Sequence, residues 1–356
     1  MPMGAPIDRH GYLHEAVLYE SDEEFLGAVV PFLQEGVALG EPCLVALRAS
    51  TTGLVREALG DPSGLTFFDD RYDRPASVIR SNRDLFTAHL ANGASQIRVA
   101  SEVPHPGVGA PWDGWARYEA AINNAYAEFP LWGLCAYDTR ITPDPVLDDV
   151  ARTHPHLAAA EGHRVNPRYQ DPAEFLARRP LSQADPMETA FPPTIELTDP
   201  TPAAARYAAR TASTIQPDTL RPDPAAPSAI QVEAAQPVTP QRETPQLDPT
   251  DIEHLVFAVS EAVTNAVTHG RPPVRVRLWT AQDRIVATVT DRGDGPTDPF
   301  AGLLPVSNTS PGGLGLWLTH QLCSHVTLDT TDDGFTLRLV VGTPHLESSG
   351  HASDTA

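Results

Sequence analysis

The chain has 356 residues, enough for about two domains, and its 41% apolar and 20% charged residues exclude wholesale disorder. Its net charge of −21 argues against a broad nucleic-acid surface, because an acidic protein repels phosphate backbones. The basic residues are all arginine, and the absence of lysine excludes a P-loop, a Schiff-base lysine and any kinase that uses a catalytic lysine.

Neither a membrane helix nor a secretory signal is visible in the sequence. No apolar run approaches the ~18 residues that a membrane helix needs. The N-terminal segment Met1–Tyr12 lacks a basic region followed by an apolar stretch. We therefore expect a cytoplasmic protein without membrane contact.

Strand-like and helix-like segments alternate through the first part of the chain. The predicted strands are Ala16–Tyr19, Cys43–Leu47, Leu65–Phe68, Ile97–Ala100 and Leu131–Tyr137. The predicted helices are Asp22–Leu39, Thr51–Leu59, Ala76–Leu90 and Trp112–Phe129. This order predicts an α/β domain whose parallel sheet is covered by helices on both faces. Residues 151–180 are rich in His, Arg and Pro and are predicted to form a peripheral helical tail.

The composition changes between Leu181 and Thr250, where 13 of 70 residues are proline. A strand at Thr194–Leu197 interrupts this region. A helix at Pro202–Ile215 follows, with Asp199 as its predicted N-cap. Residues Gln216–Gln246 show no reliable periodicity and are predicted to form a disordered insertion that is partly polyproline II.

The last third of the chain is predicted to be ordered again. Thr250–Glu253 has the form of a capping box, and a helix with apolar residues on one face follows it. The other predicted elements are strands Val274–Thr280, Ile285–Thr290, Val326–Asp329 and Phe335–Val341 and helix Leu314–Cys323. This pattern predicts an α+β fold with helices on one side of a sheet, followed by a polar tail.

Four segments of this last third carry candidate chemistry. Glu261 and Asn265 are spaced i, i+4, so both project from one face of the predicted helix. A carboxylate beside an amide oxygen suits a magnesium-assisted reaction. Asp291 follows a strand and stands beside Gly293 and Gly295, which permit close approach of the backbone.

The other two segments are glycine-rich. Gly313, Gly315 and Leu316 open a predicted helix, where free N–H groups bind phosphate. Thr336 lies at the start of the last strand. Each segment alone also fits a plain helix face, turn, loop or hairpin.

The order and spacing of the four segments together resemble the N, G1, G2 and G3 boxes of the GHKL, or Bergerat-fold, ATP-binding family. The motif Ser260–Gly270 resembles the anti-sigma-factor serine kinase branch of that family. The resemblance implies that Asn265 holds Mg²⁺, that Asp291 binds the adenine amino group and that Glu261 is the general base for an incoming serine hydroxyl. The further nucleotide contacts that it implies are Gly293 and Gly295 at the base, Gly313, Gly315 and Leu316 at the phosphates, and Thr336 on the adenine side.

The sequence departs from this family in its lid, Pro296–Gly313, which contains no Arg or Lys. Phosphoryl transfer needs compensation of developing charge, so the sequence supports ATP binding more firmly than catalysis. One alternative is a non-catalytic ATP-binding regulatory module. Another is a sensor histidine kinase, but residues 181–250 contain no histidine to serve as phosphoacceptor.

The N-terminal part resembles a MEDS sensory domain, through His14–Ser21, Leu134–Asp138 and His154-Pro155-His156. This resemblance implies a RecA-like α/β core without a P-loop and an unknown small-molecule signal. The histidines could contact a ligand or metal, but no second spacing of metal type accompanies them, so we interpret them as structural. We interpret Tyr19, Tyr137 and the widely spaced Cys43 and Cys135 as core residues, and we expect no disulfide framework or zinc site.

The sequence thus predicts a sensory domain at 10–170, a linker at 171–193, a GHKL domain at 194–342 and a tail at 343–356. We expect the sensory domain to control an ATP-binding domain that binds a sigma factor or phosphorylates an anti-sigma antagonist on serine. Because related kinases work as dimers, we also expect a homodimer.

Overall fold

The computed structural model describes residues 11–60, 63–68, 74–159, 162–177, 182, 184–215, 247–304 and 313–343. By its internal contacts the chain divides into two compact units. Unit 1 comprises Met1–Leu181, Pro296–Gln321 and His345–Ala356, and unit 2 comprises Ser182–Gly295 and Leu322–Pro344. The predicted insertion Gln216–Gln246 and the predicted polar tail from His345 onward lie outside the described residues.

Unit 1 is an α/β domain, as the sequence predicts. Its strands are β1 (Tyr12–Tyr19), β2 (Cys43–Ala46), β3 (Leu65–Phe67), β4 (Ile97–Ser101), β5 (Leu131–Asp138), β6 (His156–Ala159) and β7 (Gly162–Val165). Its helices are α1 (Asp22–Ala38), α2 (Ala49–Leu59), α3 (Pro75–Ala91), α4 (Asp113–Ala125), α5 (Asp144–Thr153) and α6 (Pro172–Ala177). Within the described residues the strands form a seven-stranded sheet in the order β3-β2-β4-β5-β1-β6-β7. All pairs are parallel except β6 with β7.

The sheet of unit 1 buries side chains on both faces. Along β5, Cys135 and Tyr137 join the buried cluster that includes α3 and α4. Leu134 and Ala136 join the cluster that includes α1 and α2. This alternation follows from the two-residue period of a strand. Two covered faces explain why the predicted strands are almost continuously apolar.

The prediction of a peripheral helical tail at residues 151–180 is wrong in its middle part. Among the residues described there, the end of α5 and α6 are helical, but the chain between them forms the hairpin β6–β7. Strand β6 pairs in parallel with β1, where Glu15 lies opposite His156. The hairpin therefore depends on backbone partners from β1, which the local sequence does not reveal.

Unit 2 is α+β, as the sequence predicts. Its strands are β8 (Ile195–Thr198), β9 (Arg275–Thr280), β10 (Arg284–Asp291), β11 (His325–Thr331) and β12 (Gly334–Gly342). Its helices are α7 (Pro186–Ala190), α8 (Pro202–Ala212) and α9 (Pro249–His269), and α10 (Leu314–Leu322) belongs mainly to unit 1. Within the part of the chain described, the sheet has five antiparallel strands in the order β11-β12-β10-β9-β8.

Two helix starts differ from their predictions. Helix α8 is capped by Thr201, whose side chain accepts from Ala204 N at 3.2 Å. The predicted cap, Asp199, instead accepts from Val274 N at 2.8 Å. Helix α9 is capped by Asp248, so the predicted capping box at Thr250–Glu253 lies inside the helix. In both cases the cap is the residue directly before a proline, and proline is favoured at the first helical position. The cap therefore lies later than predicted in α8 and earlier than predicted in α9.

Among the described residues, no helix combines the length and the apolar character needed to cross a membrane.

Candidate functional site

Helix α9 places Glu261 and Asn265 on one face of unit 2. Its opposite side is apolar, and Leu255, Val259 and Val263 there are fully buried. Glu261 and Asn265 are half-buried and lie one turn apart. Neither side chain forms a hydrogen bond with another described residue, so both keep oxygen atoms for a ligand.

The end of β10 holds Asp291, which is 4% exposed. Its Oδ1 accepts from Gly293 N at 2.5 Å and from Arg271 N at 3.2 Å. Its Oδ2 receives no hydrogen bond from a described residue. Oδ2 is therefore the carboxylate oxygen that remains for a donor on a ligand.

Two glycines make room for this carboxylate. A Cβ on Gly270 would lie 2.4 Å from Asp291 Cγ, and a Cβ on Gly293 would lie 2.6 Å from Asp291 Oδ1. Real Cβ atoms do not approach so closely, so both positions need glycine. Gly270 ends α9, so the helix that carries Asn265 also shapes the seat of Asp291.

The last strand lies beside this seat. In the register of β10 with β12, Asp291 is opposite Phe335 and Thr290 is opposite Thr336. The hydroxyl oxygens of Thr290 and Thr336 are 3.0 Å apart. Gly295 has φ +72, and a Cβ there would lie 2.5 Å from the Phe335 ring. Asp291, Gly293, Gly295 and Thr336 are therefore brought together around one strand pair.

The residues predicted to bind phosphate are grouped with unit 1 rather than unit 2. Gly313 has φ +84 and immediately precedes α10, and Gly315 and Leu316 occupy the first turn of α10. By their contacts these residues are grouped with unit 1, whereas Asp291 belongs to unit 2. The intervening residues 305–312 are outside the described part of the chain.

Two family models match the chain. The MEDS model, described as the MEthanogen/methylotroph, DcmR Sensory domain, matches residues 13–155. The histidine kinase-like ATPase domain matches residues 224–341. The anti-sigma F factor of Bacillus velezensis is 34% identical over 116 residues, which cover 29% of this chain and 77% of that protein. The chain belongs to the anti-sigma F factor family.

Serine-protein kinases are also similar to this chain. The serine-protein kinase RsbW of Bacillus velezensis is 37% identical over 93 residues, covering 22% of this chain and 58% of that kinase. The RsbW of Bacillus licheniformis is 39% identical over 102 residues, covering 25% of this chain and 63% of that kinase. The chain thus spans about three fifths of the length of these kinases. Both resemblances predicted from the sequence are confirmed.

One residue of this family member that the sequence did not single out is Arg271. Its N–H donates to Asp291, and its carbonyl accepts from Arg292 N at 2.8 Å. Its guanidinium pairs with the exposed carboxylate of Asp294 at 2.6 Å. Arg271 directly follows the Ser260–Gly270 motif, and this position is the sequence signal that could have identified it.

Unit 1 holds a second cluster, built on two of the three histidines considered above. His14 and His154 have ring centroids 4.0 Å apart, and Glu119 and Cys135 lie beside them. Burial lowers the pKa of both histidines to about 3 and raises the pKa of Glu119 and of the Cys135 thiol. His156 is half-buried on β6 and is not part of this cluster. The sequence missed Glu119 because its partners come from other elements.

Proposed function

We propose that this chain is an anti-sigma-type regulator with an ATP-binding, serine-kinase-like C-terminal domain. The observation that carries the proposal is the fixed carboxylate of Asp291, with Oδ2 left for a ligand, in a chain of the anti-sigma F factor family. In this proposal the domain binds a sigma factor or an anti-sigma antagonist and phosphorylates the antagonist on serine. The N-terminal domain controls it in response to a small-molecule signal, and the chain acts as a homodimer in the cytoplasm.

The base of ATP would be bound at Asp291. A carboxylate accepts a hydrogen bond from an exocyclic amine, and Asp291 Oδ2 is free to do so. The other oxygen is held by two backbone N–H groups, so the carboxylate is fixed before the ligand arrives. A fixed acceptor loses little conformational entropy on binding, which favours affinity.

The residues of α9 fit Mg²⁺. Amide and carboxylate oxygens are the hard ligands that this ion takes in proteins. Asn265 and Glu261 offer such oxygens from one helix face, without a hydrogen bond from another described residue. Asn265 would hold the ion, which, when bound, offsets the negative charge of the phosphates.

Glu261 would act as the general base. It lies one turn from Asn265, so its carboxylate faces the same side of α9. There it would accept the proton from the hydroxyl of a partner's serine, which is a poor nucleophile until a base takes that proton.

Control by the N-terminal domain is supported by the contact pattern of unit 1. The segment Pro296–Gln321 holds the lid glycines of the C-terminal resemblance, and its contacts group it with unit 1. Leu303 belongs to the same buried cluster as Trp115 of α4. A conformational change in that cluster would therefore be passed to the segment Pro296–Gln321, which contains Gly313 and Gly315.

A second candidate is a non-catalytic module that binds ATP and acts by sequestering its partner. It is favoured by the absence of Arg and Lys from Pro296–Gly313, since phosphoryl transfer needs charge compensation. The two candidates share the nucleotide site and differ in whether phosphate is transferred.

The decisive experiment incubates the full chain and co-purified partners with labelled ATP. We expect phosphoserine on a partner. Glu261→Ala should keep or slightly improve ATP affinity in calorimetry, because a second anion near phosphates adds little to binding. It should lower transfer by at least ~10²-fold, the usual range for loss of a general base.

Glu253→Ala is the matched control, because Glu253 lies on the same helix with its side chain 63% exposed. This variant should change neither ATP affinity nor phosphate transfer. Phosphohistidine on the chain itself would identify a histidine kinase instead. If the wild type transfers no phosphate to any bound partner, the kinase proposal fails and the sequestering module stands.

A further inference from the structure

Among the described residues, four donor side chains meet inside unit 1. His14 comes from β1, Glu119 from α4, Cys135 from β5 and His154 from the end of α5. One donor atom of each lies within 4.8 Å of the others. His14, Glu119 and His154 are 0% exposed and Cys135 is 3% exposed. Such a set of nitrogen, oxygen and sulfur donors is not expected in an ordinary apolar core.

The spacing of the donors is that of a four-coordinate metal site. His14 Nε2 and Glu119 Oε2 are 3.2 Å apart, and His154 Nε2 and Glu119 Oε2 are 3.4 Å apart. Cys135 Sγ lies 3.4 Å from His14 Nε2. With zinc bonds of about 2.0–2.3 Å, neighbouring ligands of a tetrahedron stand roughly 3.3–3.7 Å apart. Three of the six donor–donor distances therefore match a tetrahedron around one ion, and the other three are no longer than 4.8 Å.

Outer partners aim both histidines at the centre. The other ring nitrogen of His154, Nδ1, lies 2.9 Å from the carbonyl of Val150, which can only accept a hydrogen bond. Nδ1 of His154 therefore carries the proton, and Nε2 presents its lone pair to Glu119.

His14 is oriented in the same way by Asn123. The Asn123 amide nitrogen donates to the carbonyls of Glu119, Ala120 and Thr153, which fixes the orientation of the amide. Its oxygen therefore faces His14 Nδ1, at 3.1 Å, and the proton lies on that nitrogen. Nε2 of His14 is left with a lone pair, as in His154.

Glu119 completes the pattern. Its Oε1 accepts from the Tyr137 hydroxyl at 2.8 Å. Its Oε2 is buried and, like Nε2 of His154, has no hydrogen-bond partner. Among the described residues, the Cys135 thiol near His14 Nε2 is the donor at this centre, and Glu119 Oε2 and His154 Nε2 face each other without one. A cation at the centre would satisfy them all.

We propose that His14, Glu119, Cys135 and His154 bind one divalent transition-metal ion, of which Zn²⁺ is the best match. Thiolate and imidazole ligands favour such an ion over Mg²⁺ or Ca²⁺. One thiolate and one carboxylate neutralise its two positive charges, which suits a buried site. Four protein ligands leave no open position, so the ion is structural and ties β1, β5, α4 and the end of α5 together.

The test uses the full chain without nucleotide. Its zinc content is first measured by elemental analysis, and the chelator-stripped protein is then titrated with Co²⁺. We expect one Co²⁺ per chain, with the visible bands of tetrahedral cobalt and a thiolate-to-cobalt charge-transfer band. Zn²⁺ should displace the cobalt and raise the melting temperature.

The variants assign the ligands. Cys135→Ser should abolish the charge-transfer band, and His154→Ala should weaken Co²⁺ binding by more than about 100-fold, beyond the ~10–100-fold typical of outer partners. Cys43→Ser is the control, because Cys43 is equally buried but belongs to the other core cluster, and it should leave the spectrum unchanged.

If the wild-type chain shows no thiolate band, or the band persists in Cys135→Ser, the proposal is overturned. The wild-type measurement stands whether or not the variants fold. An octahedral spectrum without a thiolate band would place Co²⁺ at oxygen ligands elsewhere, and would also overturn it.

Discussion

The position of the Asp291 carboxylate depends on two neighbouring residues that have no side chain. Gly270 and Gly293 flank the carboxylate, and a methyl group on either would overlap it. The backbone N–H groups of Arg271 and Gly293 then fix Oδ1. A carboxylate held in this way can select a ligand donor by position as well as by charge.

This arrangement predicts that Asp291→Asn weakens ATP binding by at least about tenfold. A hydrogen bond to a charged group contributes ~1.5–3 kcal/mol, and 1.4 kcal/mol is a factor of ten. Isothermal calorimetry on the folded variant measures the loss. Asp294→Asn is the control, since its side chain is 88% exposed, and it should bind normally. Equal affinity for Asp291→Asn and the wild type would remove Asp291 from the site.

Asn265→Ala is expected to weaken Mg-ATP by roughly tenfold while adenosine binding stays nearly unchanged, because only the triphosphate uses the metal. Paired calorimetric titrations with and without Mg²⁺ measure this difference. Thr268→Ala, at an exposed position of the same helix, should behave as wild type. A normal Mg-ATP affinity in Asn265→Ala would show that the metal is held elsewhere.

His105 predicts a pH dependence of stability. Burial, aided by the positive charge of Arg48, lowers its pKa to about 4. The unfolded chain, with a His pKa of about 6.5, binds more protons between these two values. The contribution of His105 to the free energy of unfolding is therefore fully present above pH ~6.5 and is lost as the pH drops towards 4.

His105→Gln should make the free energy of unfolding less dependent on pH between about pH 4 and 6.5. The slope should decrease by the equivalent of about one proton per chain. Gln retains a polar group for Thr142 Oγ1, which lies 3.4 Å from His105 Nε2. Urea unfolding at several pH values measures the slope, and subtracting the two curves removes the shared contribution of the other histidines. Parallel curves for wild type and variant would contradict the prediction.

The residues proposed for nucleotide binding could be predicted because each lies in a short motif. Glu261 and Asn265 are one helical turn apart, and Asp291 is two residues from Gly293. The cluster around Glu119 could not be predicted, because its four donors come from positions 14, 119, 135 and 154. Only the folded sheet and the helix covering it bring those positions together.

At the scale of elements, Arg98 connects β4 to α1. It is 2% exposed, its Nε donates to Glu41 at 2.6 Å, and its Nη1 donates to the carbonyl of Phe32 at 2.8 Å and pairs with Glu35 at 3.0 Å. Its guanidinium also lies over the ring of Trp132, 4.7 Å from the centroid. The charge is thus paired with two carboxylates and hydrogen-bonded to a carbonyl, which makes its burial tolerable.

Arg98→Ala should destabilise unit 1 by about 3–5 kcal/mol, because it leaves the buried carboxylate of Glu41 without its partner. Arg168→Ala, which removes an exposed pair with Asp148, should cost less than about 1 kcal/mol. Urea unfolding followed by tryptophan fluorescence measures both, since Trp112, Trp115 and Trp132 report on this unit. Similar losses for the two variants would contradict a buried role for Arg98.

The sequence predicted most helices and strands to within a few residues, because their apolar periods are long and clear. It did not predict α5, α7, or the hairpin β6–β7, where the strands are four residues each. Strands this short carry almost no periodic signal, and β6 is specified by its pairing with β1. Helix ends were missed where Thr201 and Asp248 proved better placed as caps.

At the scale of the whole molecule, Gln216–Gln246 is expected to be dispensable for folding. It contains four large aliphatic residues and no aromatic residue, so it has little apolar surface to bury. Replacing it with a Gly/Ser linker of equal length should leave the melting temperature nearly unchanged, as measured by calorimetry. Leu255→Ala, at a fully buried position of α9, should lower it clearly. A large drop for the linker variant would show that the insertion packs on a folded unit.

The grouping of Pro296–Gln321 with unit 1 bears on how such a gene can be rearranged. Leu303 lies in the core of that unit, with Phe300 and Leu304 packed against it. A recombination point near residues 171–193 would give an N-terminal fragment without these side chains and a C-terminal fragment that exposes them to water. Exchange of either half for a foreign one should therefore carry a folding penalty, because apolar side chains that are buried in the intact chain would lose their partners.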